Sequence, residues 1–370
     1  MSKLNTRHQP QVDKVLLFII LALLAVGVIM VLSSSYVWAE YKYDDHLFFA
    51  KRQLLFAGVG VVAMFFIMNV PYHTWETHAK LLLIICFVLL VLVLVPGVGL
   101  VRGGARSWIG IGAFSIQPSE FMKLGLIAFL AKFLSERQKY MSSFRKGFLP
   151  AVSLVFIAFG FIMLQPDLGT GVVLVGTCML MIFVSGASIK HFSGLAALGV
   201  GGFIFLIASA PYRIKRITAF LDPWQDPRGD GFQIIQSLYA IGPGGLMGTG
   251  IGKSLQKYFY LPEPQTDFIF AILAEELGFI GGAAVIVLFI LFLWRGIKIS
   301  LEAPDGFGRL LSLGVIFMVT IQVMINVSVV IGLIPVTGIT LPFLSYGGSS
   351  LTLTLMSAGV VLNISRHSRL

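Results

Sequence analysis

The chain has 370 residues, 57% of them hydrophobic and only 12% charged, with a formal net charge of +10. Soluble globular domains carry about a quarter charged residues. This composition therefore excludes a soluble enzyme and describes a polytopic membrane protein, one all-α domain over residues 1–370. The surplus of Lys and Arg fits loops beside membrane spans, where it sets topology, better than it fits nucleic-acid binding.

A span needs about 20 apolar residues. The first apolar run, 15–32, follows Lys3, Arg7 and Lys14. No small-residue cleavage site comes after it, so it reads as an uncleaved helix rather than a signal peptide. Ten spans are expected in all, at roughly 15–35, 50–70, 79–96, 118–135, 148–165, 168–186, 190–209, 268–294, 308–334 and 340–364. An even number puts both termini on one side. A cytoplasmic N-terminus places Lys3, Arg7, Lys14, Lys80, Lys132, Arg137, Lys139, Arg145, Arg295, Lys298, Arg309, Arg366 and Arg369 inside. The short outer loops then hold mainly Lys42, Lys51, Arg52, Arg102 and Arg106, the expected bias. Cys86 and Cys178 lie inside apolar runs and read as packed thiols.

The polar residues within this apolar chain are the candidates for chemistry. In "QPSEFMKL" (117–124), Glu120 and Lys123 share a helix face. They are either a structural ion pair or the polar wall of a cavity. Asp167 in "QPDLGTG" is placed to cap the helix that follows, with a substrate role as the alternative.

The one large extramembrane loop, about 211–266, carries Arg213, Lys215, Arg216, Arg228, Lys253 and Lys257. Cations on the outer side suit a phosphate-bearing substrate better than lipid headgroups, which are anionic chiefly in the cytoplasmic leaflet. Within this loop, 232–241 is patterned as a short helix lying on the membrane surface. Asp222, Asp226 and Asp230 read as turn residues, and only weakly as a divalent-ion site, because prolines at 223 and 227 break any helix between them. "GTGIGKS" (248–254) imitates a phosphate loop, but the required first glycine is Met247, so it reads as a turn.

"YLPEPQTDFIFAILAEELG" (260–278) puts Asp267 where the eighth span begins and Glu275 and Glu276 two turns inside it. Asp267 is either a helix cap or a rigid, partly desolvated general base. Glu275 and Glu276 read as interhelical hydrogen-bond partners. In "PVTGITLPFLSYGGSS" (335–350), Ser345 and Tyr346 either pack or line a cavity mouth.

These motifs, with "PYRIKRI" and "GFQIIQS", occur in an order that resembles the SEDS family (shape, elongation, division and sporulation) over nearly the whole chain. The resemblance implies ten transmembrane helices and a peptidoglycan glycosyltransferase that polymerises lipid II at the outer face of the bacterial cytoplasmic membrane. It implies lipid II, a lipid-linked glycan strand, membrane lipids and a class B penicillin-binding protein as partners, and no nucleic acid. The family's essential aspartate falls on Asp267, its polar pair on Glu120 and Lys123, its arginines on Arg52 and Arg106, and its serine-tyrosine-glycine turn on 345–348. The expected roles are Asp267 as catalytic base and Glu120, Lys123, Arg52, Arg106, Arg213, Arg216, Lys257 and Ser345 as substrate contacts. The diphosphate also admits a divalent cation. Transport of lipid II, or a scaffold that recruits a transpeptidase, are the rival readings.

Overall fold

The computed structural model describes residues 11–102, 105–111, 114–208, 214, 218, 220–229 and 231–368. Its long helices are α1 (Lys14–Tyr43), α2 (Phe48–Asn69), α3 (His73–Leu92), α4 (Pro118–Glu136), α5 (Leu149–Met163), α6 (Leu168–Val184) and α7 (Ile189–Ala208). After the long loop come α8 (Phe232–Gly244), α9 (Ile269–Leu301), α10 (Gly306–Val330) and α11 (Gly348–Ser365). A helix therefore lies on each of the ten expected segments. Seven of the described helical stretches are long and apolar enough to cross a membrane. The segments of α4, α6 and α7 are outside that set: α4 carries Glu120, Lys123, Lys132 and Glu136, and α6 has only 17 residues. The fold is an all-α polytopic membrane bundle.

Two features depart from the sequence reading. Residues 99–116 form a small antiparallel sheet, β1 (Gly99–Arg102), β2 (Ala105–Ile111) and β3 (Phe114–Ile116), in the order β1-β2-β3. Ile109 pairs with Gly99 on one side and Ile116 on the other. The 232–241 stretch does become a helix, α8, but it packs on protein as well as facing outward. Ile234, Ile235, Ser237 and Ala240 are buried, and Ser237 Oγ donates to Val330 O on α10 at 2.7 Å.

Helix α9 is broken at Gly278, where φ is 67° and ψ −167°. A Cβ there would meet Gly248 N at 2.3 Å, so only glycine fits both the backbone and the space. The break strands carbonyls and amides that a continuous helix would pair. The loop after α8 takes them up. Thr249 N donates to Glu275 O (2.9 Å) and Gly250 N to Glu276 O (3.0 Å), while Phe279 N donates to Gly245 O (2.8 Å) and Ile280 N to Leu246 O (3.1 Å). The phosphate-loop mimic is thus a turn, with positive φ at Gly248, Gly250 and Gly252.

The N-termini of α2, α4, α6, α9 and α11 and the C-termini of α1 and α10 lie toward one end, opposite the start of α1 and the end of α11, which meet where Asp13 N donates to Ser365 Oγ. Midway along its length, α1 comes so close to the turn before α11 that a Cβ on Gly27 would lie 2.4 Å from Phe343 O.

Candidate active site

The turn 263–267 leads into α9. Thr266 N and Oγ1 both donate to Glu263 O, at 3.0 and 2.7 Å, and Thr266 Oγ1 also lies 3.0 Å from Asp267 Oδ1. The N-cap of α9 is Phe268, with no side-chain cap bond, so the helix start does not rest on a cap from its N-cap side chain. Asp267 is half-buried. Its backbone is pinned from α10: Asn326 Nδ2 donates to Asp267 O and to Ile339 O, each at 2.7 Å.

Asn326 is 1% exposed and Gln322, one turn below it, is 3% exposed. Gln322 Nε2 donates to Thr340 O at 3.2 Å, and its Oε1 accepts from Lys123 Nζ at 3.2 Å. Lys123 Nζ is also 2.8 Å from Glu120 Oε1, with both side chains at least nine-tenths buried. The pair on α4 and the turn of Asp267 thus belong to one polar stripe across α10. A buried Lys or Glu is tolerated only when paired and hydrogen-bonded, and this pair meets that condition.

A second set of contacts holds the turn from the side of α2. Gln53 is fully buried and Nε2 donates to Ser345 O at 3.3 Å. Tyr346 N donates to Gln265 O at 2.8 Å, and its ring stands edge-on to Phe49, centroids 5.1 Å apart. Ser345 Oγ accepts from Leu341 N at 2.8 Å. Ser345 therefore helps lock its own turn as an acceptor, and it is buried there. The amide oxygens of Gln53, Gln265 and Asn326 are buried with acceptor capacity unfilled by protein donors.

Asp167 caps α6: Oδ1 accepts from Thr170 N at 3.1 Å, and Oδ2 from Gln117 Nε2 (2.8 Å) and Ser119 Oγ (3.3 Å). The capping reading accounts for it, and it ties α6 to the start of α4. Asp222 and Asp226 accept from Trp224 N and Gly229 N, as turn residues do. Arg52 lays its guanidinium over the Phe48 ring at 4.1 Å. Next to it Lys51 bonds Asp45 at 2.8 Å, which holds the Asp45 carboxyl below its usual range. Arg106 is half-buried on β2, its side chain crossing Gly99 of the neighbouring strand. Arg213 and Arg216, like Asp230, lie outside the described residues.

Lys257 is a correction. It was expected as a substrate cation, but it is 3% exposed and its Nζ lies 3.0 Å from Glu276 Oε1. Ser33 Oγ of α1 donates to both oxygens of Glu276, at 2.7 and 2.6 Å. Glu276 is thus an interhelical partner, as expected. Glu275 instead holds the loop, accepting from Ser254 Oγ (2.5 Å) and Leu255 N (2.7 Å). A ligand could reach the Lys257 ammonium only by displacing a fully buried carboxylate.

Sequence reasoning missed Gln53, Gln322 and Asn326. A signal existed for the last two: amides four residues apart within an apolar span lie on one helix face, and polar groups in a span face the interior.

Fold and site together define a membrane-embedded bundle with a polar, carboxylate-bearing site in the half away from the start of α1 and the end of α11. The family model of the FtsW/RodA/SpoVE cell cycle proteins matches residues 14–370, and the chain belongs to that family. It is 68% identical to stage V sporulation protein E of Bacillus subtilis (strain 168), over 98% of this chain and all of that one. It is 42% identical to the probable peptidoglycan glycosyltransferase FtsW of Geobacter sp. (strain M18), over 96% and 97% of the two chains. Among solved structures, a chain of a peptidoglycan synthase complex that coordinates polymerization and crosslinking superposes with a TM-score of 0.79 at 33% identity, covering 96% of this chain and 98% of that one. The rod shape determining protein RodA of Thermus thermophilus gives 0.72 at 30%, over 97% and 98%.

Proposed function

We propose that this chain is a peptidoglycan glycosyltransferase that polymerises lipid II into β-1,4 glycan strands at the outer face of the cytoplasmic membrane. The observation that carries the reading is Asp267. It is a half-buried carboxylate whose backbone is pinned by Asn326, in a chain coextensive with FtsW proteins bearing that activity in their names. All ten segments cross the membrane in this reading, with both termini in the cytoplasm, so the Asp267 end faces outward.

The donor sugar is α-linked to a polyprenyl diphosphate and the product bond is β, so C1 inverts in one displacement. Asp267 takes the proton from the acceptor 4-hydroxyl, that oxygen bonds C1, and the C1–O bond to the diphosphate breaks. Glycosidases need two carboxylates at a set separation; here the diphosphate is already a good leaving group and one base suffices. Glu120 and Lys123 form the polar floor of the substrate site. Arg52, Arg106, Arg213 and Arg216 hold the diphosphate as charge develops on it, with or without a divalent cation.

A discontinuous helix also suits a transporter. In this chain the break in α9 is filled by the 245–250 loop, which takes up its amides and carbonyls, and that favours the enzyme. Recruitment of a class B penicillin-binding protein is compatible with catalysis.

The test is polymerisation of labelled lipid II by the purified chain, alone and with a class B penicillin-binding protein. Absence of polymer in both arms refutes the activity, and polymer only in the second makes the partner an activator. Topology is read by cysteine labelling from outside. A cysteine at the exposed Glu263 is expected to react and one at Lys139 to be protected; the reverse pattern inverts the orientation.

A further inference from the structure

The loop between α8 and α9 carries large apolar side chains that no other described part of the protein covers. Leu246, Met247, Ile251 and Leu255 are 69%, 79%, 60% and 66% exposed. Its polar backbone, by contrast, is turned inward onto the break in α9 through the four bonds described above, and Thr249 Oγ1 adds a fifth, to Glu275 O at 3.1 Å. Backbone groups of residues 245, 246, 249 and 250 bonded inward and bare apolar side chains turned outward suit hydrocarbon and are disfavoured in water.

Two rulers give the depth of this loop. Arg295 is bonded through Nε to Asp13, the N-cap of α1, at 2.7 Å, which marks one charged layer. Gly278 lies seventeen residues from Arg295 along α9, about 26 Å at ~1.5 Å per residue. Ser33, which touches Glu276, lies nineteen residues above Lys14 along α1, about 28 Å by the same rise. Both fall within the last few ångströms of a ~30 Å hydrocarbon core, and any helix tilt draws them deeper.

We propose that residues 245–255 form a re-entrant keel embedded in the hydrocarbon of the outer leaflet, with phospholipid acyl chains as its partner. The outward orientation rests on the functional reading above; the embedding does not. The keel continues the lipid-facing surface of α9. Phe279 and Ile280, whose amides bond the loop, are themselves 69% and 52% exposed. Lys253, exposed on the same loop, has a stem long enough to reach the phosphate layer. The keel is stitched to the half-helix 269–277, which folds back along 279–301: the Phe270 ring comes within 3.6 Å of where a Cβ on Gly282 would stand, and Asp267 O is held by Asn326 of α10. Anchoring the keel in hydrocarbon thus fixes the end of the half-helix from which the turn of Asp267 hangs. Met247, Leu246 and Leu255 are on this account depth-setting residues.

The test uses the full chain in phosphatidylcholine/phosphatidylglycerol vesicles, with Met247→Trp as reporter and emission taken as the gain over the parent. Phospholipid brominated in the acyl chain is expected to remove more than half of that emission, and aqueous iodide to leave it intact. Glu263→Trp should show the opposite pattern. Quenching of Met247→Trp by iodide alone would place the loop in water, and shielding from both quenchers would place a protein surface over it; either overturns the proposal. Leu255→Trp repeats the measurement if the first variant does not fold. No turnover is needed, so the result stands or falls independently of the glycosyltransferase assay.

Discussion

The molecule buries two lysine–glutamate pairs at the same end, and the proposed mechanism gives them different tasks. Lys123 and Glu120 sit on one helix, three residues apart, and the lysine reaches on to Gln322 of α10. Lys257 and Glu276 come from a loop and a helix, nineteen residues apart, and close on Ser33 of α1. The first pair extends a polar stripe toward the turn of Asp267. The second staples three segments and ends there. Burial and distance are nearly equal in the two, so neither separates a working pair from a fastening. What each pair leads to separates them.

Seven variants sharpen the contrast. Asp267→Asn should give the largest loss. Polymerisation of lipid II is expected to fall by ~10²–10⁴-fold, the usual contribution of a general base, with expression and thermal unfolding unchanged; near-parental turnover would remove Asp267 from the chemistry. Next are the truncations of single lysines. Lys257→Met and Lys123→Met each strand a buried carboxylate and should cost ~3–5 kcal/mol in detergent unfolding. The double variants then part company. Lys257→Met with Glu276→Met should recover stability and keep polymerising, whereas Lys123→Met with Glu120→Met should recover stability and stay inactive. Equal activity in the two doubles would erase the distinction. Exchanging the charges, Glu120→Lys with Lys123→Glu, should likewise fail to restore turnover; full restoration would make that pair structural too. The smallest effect is expected at Asn326. Asn326→Leu frees the Asp267 carbonyl and should lower kcat roughly tenfold with KM little changed, inside the ~10²-fold that an ångström of misplacement can cost.

The positions of the ten helices were legible because a long apolar run has few other uses. Asp267 also stood out, as a carboxylate fenced by prolines at a span boundary, and it lies half-buried in a turn whose backbone Asn326 holds. The pairing of Lys257 was not legible. A lysine in a long cationic loop looks the same whether it meets phosphate or a glutamate nineteen residues on, and only the tertiary fold brings Ser33 to complete the cluster. The break at Gly278 was equally hidden, since "LGFIGG" keeps both the apolar character and the length of a continuous helix. The sheet at 99–116 went unseen because its strands are three to seven residues long and rich in glycine. Asn326 carried a readable signal, its spacing from Gln322, but what it does depends on a carbonyl 59 residues away in the chain.

The interruption at Gly278 also changes what α9 can transmit. An unbroken helix is a shaft: a twist at one end arrives at the other through its ladder of hydrogen bonds. In α9 that ladder stops at a residue with φ of 67°. A rotation of 279–301, as a neighbouring helix in the bilayer would impose, reaches the half carrying Asp267 through the amides and carbonyls of residues 245–250 and the packing of Phe270 by Gly282. The loop is the coupling between two rods, and its stiffness decides whether a push at the base of the bundle is felt at the carboxylate or absorbed before it arrives.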